Sequence, residues 1–435
     1  GAASPSSMRG TMNDRSTGDI EAAAVERQAW AASRLGEATE RLERLGRPLN
    51  AVVVSIPFPE RARDGRLLGM PIAVKDMIDV AGYPRGNGNP EDMAGPASTA
   101  DAPVITALRE AAADVFALAA LLEYAAGAQH PDLPEARNPA KPTQTAGGSS
   151  GGSAALVGAG VCAAALGTDT GGSIRLPAHY CGVVGFKPTF GTVSVIGVQP
   201  LSPSLDHVGV LAKDVATTAE VFEVLSGLGG AAPTHPSTFG VLTDQLDDPR
   251  LDDDVRVVIT RAIDHLRSRA TLVDTDGSAL SLLNAPMGDI VHYEAWQVHG
   301  AAMTNRPEHF GAPTARLFAA AEHISEEQYR EALRAREELL PNALAVLDGV
   351  DFLIGPAAPY VAPEISPPGD TPAGAIEGIF TQPYNMTGQP AIVLPCGVTP
   401  AGLPVGLQIA GTVGADAELL AATAMIERIL SEQSS

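Results

Sequence analysis

Two Gly-Gly-Ser units, residues 147–149 and 171–173, lie on either side of an apolar, alanine-rich run in the segment AGGSSGGSAALVGAGVCAAALGTDTGGSIRLP (residues 146–177). Paired glycines allow tight turns and close approach of the backbone, and a serine beside them can cap a helix. Capping explains Ser153, which precedes the run AALVGAG. It does not explain a second Gly-Gly-Ser unit where a strand is predicted to end. This segment therefore constrains both the fold and the chemistry of the chain.

Composition indicates a folded protein with an acidic surface. Of the 435 residues, 45% are hydrophobic and 18% are charged, which is ordinary for a globular protein. The net charge of −22 argues against binding of nucleic acid or of an anionic membrane, because both require basic patches. We expect the excess acidic residues to form a solvated surface, on a monomer or a homodimer.

Three cysteines, Cys162, Cys181 and Cys396, are too few and too scattered for a disulfide framework. The sequence has no CxxC or HExxH motif and its nine histidines are dispersed, so we expect no metal ion and no cofactor. The longest apolar run, residues 154–167, is too short and too weakly apolar to span a bilayer. These features favour a cytoplasmic protein.

The order of predicted elements favours an α/β fold in which one large domain, residues 18–435, has a central mixed β-sheet flanked by helices. Residues 1–17 lack an apolar segment and are excluded from the domain as an extraneous or disordered tail. Strand-like and helical patterns alternate in residues 65–230, which indicates the core. Residues 231–349 begin with a proline-rich break and a short strand and then predict a mainly helical insert on the substrate side. Strand patterns return in residues 350–435, before a final amphipathic helix.

Three interpretations of the Gly-Ser segment compete. A phosphate cradle is disfavoured because neither GxxxxGK[ST] nor a strand-framed GxGxxG motif occurs. A purely structural role leaves the second unit unexplained. The third interpretation is hydrolysis, in which a serine nucleophile needs a base to take its proton and backbone N–H groups directed at the developing oxyanion. Consecutive glycines beside the serine supply such donors without side-chain obstruction.

The residues alone leave the identity of the base open. His207 follows Asp206 directly, which is an awkward arrangement for that carboxylate to orient that ring. We expect His179 and His207 to be satisfied or surface histidines. Lys75 lies in the apolar strand pattern GMPIAVKDMIDV, where burial lowers the pKa of an amine and lets the neutral form act as a base. A lysine in this pattern could equally extend from an edge strand into solvent.

Longer motifs show a resemblance to the amidase signature family of Ser-Ser-Lys hydrolases. GMPIAVKDMIDVAG at residues 69–82 corresponds to the strand motif of the family, GGSSGGS at 147–153 to its first glycine-serine motif, and GTDTGGSIRLP at 167–177 to its second. The two motif serines are 24 positions apart, which is the usual separation in the family. A further match covers residues 380–411, and the first motifs lie within about residues 65–230.

The resemblance implies a mechanism and a role for each motif residue. Neutral Lys75 would take a proton from Ser149, and Ser149 would relay it from the nucleophile Ser173. The peptide bond between Gly148 and Ser149 is expected to be cis. The backbone N–H groups expected to form the oxyanion hole are those of Thr170, Gly171, Gly172 and Ser173. The residues expected to support the relay and the loop are Ser150, Asp169 and Arg175, the last two as an ion pair.

Departures from the family pattern bear on the substrate. Leu118, Ala119 and Ala120 stand where relatives usually carry Lys, Thr and Asn, and residues 144–146 replace a basic residue and a proline. The substrate-binding positions implied by the resemblance hold Tyr124, Ala125, Ala126 and Gly148. We expect a roomy apolar pocket in a stand-alone amidase that takes a small-molecule substrate, either a hydrophobic or aryl amide or a carbamate (urethane). The alternative is an amidotransferase A-type subunit, which would release ammonia from glutamine within a complex.

Overall fold

The computed structural model describes residues 17–230 and 237–432. Eleven strands in these residues form a single sheet. In chain order they are β1 (Val52–Ser55), β2 (Pro71–Lys75), β3 (Asp114–Ala119), β4 (Ala164–Asp169), β5 (Val184–Lys187), β6 (His207–Ala212), β7 (Thr238–Leu242), β8 (Thr271–Thr275), β9 (Phe352–Pro356), β10 (Ala391–Val398) and β11 (Pro404–Ala410). The tail expected at residues 1–17 lies outside the described residues except for Thr17, where the first helix begins.

Across the sheet the strands follow the order β1-β3-β2-β4-β6-β5-β10-β11-β9-β7-β8. Strand β2 pairs in parallel with β3 and β4, and β7 pairs in parallel with β8 and β9. The pairs between β4 and β6 and between β10 and β11 are antiparallel. The predicted α/β class with a central mixed sheet is therefore confirmed.

Fifteen α-helices occur in the described residues, and none of them is long and apolar enough to cross a membrane. They are α1 (Thr17–Arg41), α2 (Pro90–Met93), α3 (Pro103–Glu110), α4 (Gly151–Gly158), α5 (Arg175–Cys181), α6 (Val215–Ser226), α7 (Thr243–Leu246), α8 (Asp253–Arg267), α9 (Ser278–Ser281), α10 (Asn284–Asn305), α11 (Ala312–Ala321), α12 (Glu326–Leu344), α13 (Pro372–Glu377), α14 (Gln382–Met386) and α15 (Asp416–Ser431). Short 3₁₀ turns include Glu123–Ala125 and Pro307–His309.

Alternate residues of the central strands enter two different cores. In β2, Ile72 and Val74 belong to a large cluster with side chains of α3, α6, α8 and α15, whereas Ala73 belongs to a second cluster with side chains of α4 and α5. Successive side chains of a strand point to opposite faces of the sheet, so helices cover both faces. This two-sided burial explains why the central strands read as continuous apolar runs in the sequence.

The region 231–349 contains two strands as well as helices. Strand β7 corresponds to the short strand predicted after the proline-rich break, but β8 was not predicted. Strand β8 lies at the edge of the sheet, and three of its five residues are exposed. An exposed edge strand needs few apolar residues, so its sequence carries little strand signal.

The topology brings the three motif segments to one place. Strands β2 and β4 are parallel neighbours, so their carboxyl ends lie at the same edge of the sheet, where β2 ends at Lys75 and β4 at Asp169. Helix α4 begins immediately after the first Gly-Gly-Ser unit and packs on β4, with Ser153 Oγ donating to the Leu166 carbonyl oxygen at 2.9 Å. The second unit lies in the loop between β4 and α5.

Candidate active site

Lys75 is the last residue of β2, and its side chain is fully buried. Its Nζ atom lies 2.7 Å from Ser149 Oγ, 3.0 Å from Ser150 Oγ and 2.7 Å from Thr168 Oγ1. Hydroxyl groups from two different motifs therefore surround one amine. Of the two placements that the sequence left open for Lys75, the buried one is observed.

Two of these hydroxyls direct their own protons elsewhere. Ser150 Oγ donates to the Thr168 carbonyl oxygen at 3.1 Å, and Thr168 Oγ1 donates to Met77 Sδ at 3.3 Å. Both oxygens therefore accept a hydrogen bond from Lys75. A neutral amine has two N–H donors and one lone pair, so these two bonds use both donors and leave the lone pair for the Ser149 hydroxyl. This geometry suits transfer of a proton from Ser149 to Lys75.

Burial lowers the pKa of Lys75 to about 7, because the ammonium form loses its hydration in the protein interior. The carboxylates of Asp169 and Asp206 oppose part of this shift by favouring the charged form. Above a pH of about 7 the amine is therefore mostly neutral, which is the form that can accept a proton.

The two Gly-Gly-Ser units are joined through the backbone. The Gly148–Ser149 peptide bond is cis, and the Ser150 N–H donates to the Ser173 carbonyl oxygen at 3.1 Å. A Cβ atom at Gly148 would approach Leu122 Cδ1 to 2.0 Å, so any other residue there would force the Leu122 side chain to shift. Ser173 is partly exposed, and its hydroxyl has no hydrogen-bond partner within residues 17–230 and 237–432. A hydrogen bond between the Ser173 and Ser149 hydroxyls, which a direct proton relay needs, is thus not formed among the described residues.

The loop after β4 presents backbone donors beside Ser173. In the part of the chain that the structure describes, the N–H groups of Thr170, Gly171 and Ser173 have no protein acceptor. The Gly172 N–H, which was also expected to face the oxyanion, donates instead to Asp169 Oδ1 at 2.9 Å. A carboxylate that holds this N–H competes with a substrate oxyanion for it. The oxyanion role that we propose therefore rests on the other three donors.

The expected ion pair between Asp169 and Arg175 is present, with Arg175 Nη2 2.9 Å from Asp169 Oδ1 and both side chains fully buried. Asp169 Oδ2 also accepts from the Ile174 N–H at 3.1 Å, and Arg175 Nη2 donates to Asn385 Oδ1 at 2.7 Å. Burial alone would raise the pKa of Asp169, but the Arg175 guanidinium and the Asn385 amide outweigh it and hold that pKa well below its usual range. The pair anchors the nucleophile loop to α14.

The two histidines considered from the sequence have other partners. His207 is buried, its Nδ1 donates to a backbone carbonyl oxygen at 2.7 Å, and its Nε2 lies 3.2 Å from Lys187 Nζ. His179 Nδ1 accepts from the Gly406 N–H at 2.9 Å, and its Nε2 donates to the Tyr360 carbonyl oxygen at 3.1 Å. Burial lowers the pKa of His179 to about 4. Both rings are satisfied within the core, which leaves Lys75 as the candidate base.

Residues 122–126 connect the catalytic loop with the expected substrate pocket. The Leu122 N–H donates to the Ser149 carbonyl oxygen at 3.2 Å. Tyr124 and Ala125 have φ values of 50° and 57°, a left-handed conformation that costs a non-glycine residue roughly 1–2 kcal/mol. The Tyr124 N–H donates to the Asn87 carbonyl oxygen at 2.8 Å and helps to hold this turn.

Two cavities adjoin this turn. The first, of about 70 Å³, is lined by residues that include Thr170, Ala125 and Leu201. The second, of about 220 Å³, is lined by Ala126, Leu201 and side chains of α10 and α11. Leu201 borders both cavities, and Ala125 and Ala126 are consecutive, so the two cavities are neighbours. Most of the lining residues are apolar. That these cavities form the substrate pocket stays a prediction.

The resemblance placed Tyr124 among the substrate-binding residues, but its ring lies outside the two cavities. The ring is 5% exposed and packs against His299 and Phe310 at centroid distances of 4.9 and 5.3 Å. It lines neither of the two cavities among the described residues. The Tyr124 ring therefore supports the turn without lining the cavities, whereas Ala125 and Ala126 line them.

Leu118, Ala119 and Ala120 also lie away from the expected position. Leu118 and Ala119 are buried in β3, within the cores of the sheet. Ala120 lines a separate cavity of about 420 Å³ beside β1, whose described lining includes none of the motif residues. Replacement of the polar residues found in relatives at these three positions therefore changes the core and this separate cavity, not the linings of the two cavities beside Ala125 and Ala126.

Sequence reasoning missed Thr168, Asp206 and Asn385, which complete the site. Asp206 Oδ1 accepts from Thr170 Oγ1 at 2.6 Å, and burial raises the pKa of Asp206. Thr168 and Asn385 lie inside recognised motifs and could have been singled out there. Asp206 was considered only as a partner of His207, and its contact with the loop after β4 depends on the pairing of β4 with β6.

Known proteins resemble this chain in sequence and in fold. The Amidase family model matches residues 51–420. The A-type subunit of glutamyl-tRNA(Gln) amidotransferase from Symbiobacterium thermophilum is 34% identical over 400 residues, which cover 82% of this chain and 82% of that protein. An amidase of known structure is 32% identical, with a TM-score of 0.82 over 94% of this chain and 99% of that one. A bacterial aryl acylamidase, at 20% identity and a TM-score of 0.79, covers 96% of this chain and 97% of that one and shares its fold.

These matches define the chain as an amidase-type hydrolase that acts on C–N bonds. It belongs to the amidase signature family.

Proposed function

We propose that this protein is a stand-alone amidase that hydrolyses hydrophobic or aryl amides, with carbamates (urethanes) as further substrates. The observation that carries the proposal is the buried Lys75 amine, whose Nζ atom lies 2.7 Å from Ser149 Oγ. Ser173 is partly exposed in the loop after β4, and Thr170 of the same loop lines one of two neighbouring, mainly apolar cavities.

In the proposed reaction, neutral Lys75 takes the Ser149 proton while Ser149 takes the proton of Ser173. The Ser173 oxygen bonds to the substrate carbonyl carbon, and the N–H groups of Thr170, Gly171 and Ser173 stabilise the oxyanion. As the C–N bond breaks, the proton returns through Ser149 to the leaving amine. Water then attacks the acyl ester on Ser173 with the same proton relay, which releases the acid and restores the serine.

The relay requires a hydrogen bond between Ser173 and Ser149 that the free chain lacks. Catalytic hydrogen bonds are often long or unformed without substrate and tighten in the complex. We infer that a bound substrate excludes water from Ser173 and turns its hydroxyl towards Ser149.

The apolar preference rests on the cavity walls. Burial of apolar ligand surface in such walls contributes about 25 cal/mol per Å². Among the described residues, neither an arginine nor a lysine lines the two cavities beside Ala125 and Ala126. A free amino acid such as glutamine carries an α-carboxylate, which binds best to a cation. These walls therefore favour an uncharged aryl or alkyl group.

The second candidate function is that of an amidotransferase A-type subunit. It is favoured by the 34% identity to the amidotransferase chain of Symbiobacterium thermophilum. Such a chain depends on partner proteins, whereas a stand-alone amidase needs neither a partner nor ATP.

Steady-state assays of the isolated protein distinguish the two candidates. We expect kcat/KM to be at least about tenfold higher for a nitroanilide and an aryl carbamate than for glutamine, without partner or ATP. A protein that releases ammonia from glutamine faster than it cleaves the anilide would support the amidotransferase function and contradict the proposal.

A further inference from the structure

A hydrogen-bonded cluster outside the motifs joins the helical region to the substrate-side turn. The Tyr124 hydroxyl donates to Asp92 Oδ2 at 2.5 Å, and the Tyr124 oxygen lies 2.7 Å from His309 Nε2. Because the single hydroxyl proton is directed at Asp92, the Tyr124 oxygen accepts from the His309 Nε2–H. On the other side of the ring, His309 Nδ1 lies 2.8 Å from Glu91 Oε2. We call Glu91, Asp92, Tyr124 and His309 the tyrosine clasp.

A second set of hydrogen bonds holds the same two segments together. Glu123 is fully buried, and its Oε1 accepts from the Gly311 N–H at 3.1 Å and from Asn89 Nδ2 at 2.7 Å. Asn89 Nδ2 also donates to the His309 carbonyl oxygen at 2.7 Å. Residues 309–311, which follow α10, are therefore attached to the core through both backbone and side chain.

The clasp acts on the turn that borders the cavities. Tyr124 and Ala125 are consecutive non-glycine residues in the left-handed conformation, which persists only where surrounding contacts impose it. Ala125 lines the cavity beside Thr170, and Ala126 lines the larger one. The Tyr124 hydroxyl is one side-chain attachment of this turn, beside that of Glu123, and it bonds to Asp92 and His309.

We propose that His309 is a positioning residue for substrate specificity. It holds the Tyr124 hydroxyl and thereby fixes the wall that Ala125 and Ala126 form around the hydrophobic part of the substrate. The inference rests on the proposed function, since it assigns the control of substrate size at that same site. It goes beyond that function because His309 lies outside every motif and belongs to the helical region of the chain.

The test compares His309→Ala, Tyr124→Phe and the double variant with the wild type. Both single changes remove the hydrogen bond between Tyr124 and His309, so each should raise KM for a bulky aryl anilide about tenfold and change kcat less than about threefold. Each change also removes a contact of its own, Tyr124 with Asp92 or His309 with Glu91, so the double variant should show an effect on KM well below the sum of the two single effects. His309→Gln keeps an N–H donor and should retain most of the wild-type KM. His323→Ala removes an exposed histidine beyond α11 and serves as the matched control.

The rate at which a small fluorophosphonate labels Ser173 measures the reactivity of the catalytic groups separately from the binding of a bulky anilide. We expect the clasp variants to label within about threefold of the wild-type rate, because the hydrogen bonds of Lys75 do not involve His309. Strictly additive effects of the two changes on KM, an unchanged KM in His309→Ala, or loss of labelling in parallel with KM would each overturn the inference. If His309→Ala fails to fold, Tyr124→Phe and His309→Gln make the same comparison. A wild-type protein that neither labels nor hydrolyses amides contradicts the proposed function itself, and the inference falls with it.

Discussion

Lys75 Nζ lies 2.7 Å from Ser149 Oγ, which joins the end of β2 to a loop 74 positions further along the chain. The contact exists because β2 and β4 are parallel neighbours and α4 begins directly after the serine loop. Ser150 and Thr168 occupy the remaining hydrogen-bonding capacity of the amine. Neutral Lys75 can therefore accept a proton only from the direction of Ser149. Its role as a base can be tested by measuring how activity and stability depend on pH.

The activity should depend on pH through Lys75. Protonated Lys75 cannot act as a base, so kcat/KM for an amide should fall about tenfold for each pH unit below the pKa of about 7 and level off above it. A pH–rate profile from pH 5 to 9 measures this. Lys75→Arg should lose at least about three orders of magnitude, because a guanidinium stays protonated. A flat profile through pH 5–8, or wild-type turnover by Lys75→Arg, would rule out a lysine base.

Stability should depend on pH through the same group. The unfolded chain binds a proton at Lys75 with the ordinary pKa of 10.5 and the folded chain with a pKa of about 7, so the unfolded state binds more protons between these values. The free energy of unfolding should therefore rise with pH in this window by about 1.4 kcal/mol per unit from this residue. Lys75→Met lacks this contribution. Urea titrations at pH 7 to 10 should show the wild type gaining stability relative to Lys75→Met, and a constant difference would contradict the lowered pKa.

The direction of the Lys75 lone pair predicts that Thr168, in β4, contributes to catalysis by orienting the amine. Thr168→Val removes one of the two acceptors for the N–H groups of Lys75, so kcat should fall about 10- to 100-fold while KM stays within about threefold. Ser153→Ala is the matched control, because within residues 17–230 and 237–432 the buried Ser153 hydroxyl bonds only to the Leu166 carbonyl oxygen. Equal kcat values for the two variants would show that the orientation of the amine does not matter.

The resemblance to the family predicted much of this site from the sequence. The matching motifs implied that Lys75, Ser149, Ser150 and Ser173 belong to one site, whereas the residues alone left the base open. In the structure Ser149 and Ser150 contact Lys75, and the buried Asp169–Arg175 pair is present.

Features that depend on packing between distant segments were not predictable in this way. The direction of the Tyr124 ring depends on His309 and Phe310, which lie about 185 positions away. The Gly172 N–H bonds to Asp169 because that carboxylate accepts hydrogen bonds from several donors, including Arg175. The sequence does not show which donors the carboxylate takes. Strand β8 gives little apolar signal because it lies at an edge.

The cavity walls predict that a larger side chain at Ala126 excludes bulky substrates. Ala126→Trp places a large ring in the cavity of about 220 Å³ and should lower kcat/KM for a bulky anilide by at least about tenfold. Turnover of a small acetyl ester should change less than about threefold. Ala301→Trp, at an exposed position of α10, controls for the added tryptophan. Unchanged turnover of the bulky substrate by Ala126→Trp would show that the substrate binds elsewhere.

The role of Ser173 as the nucleophile is tested most directly by mass spectrometry of the protein after reaction with a fluorophosphonate. We predict one adduct on the peptide that contains Ser173, and none in Ser173→Ala. In parallel, anilide hydrolysis by Ser173→Ala should fall by at least about three orders of magnitude. An adduct on another residue, or wild-type turnover by Ser173→Ala, would contradict a Ser173 nucleophile.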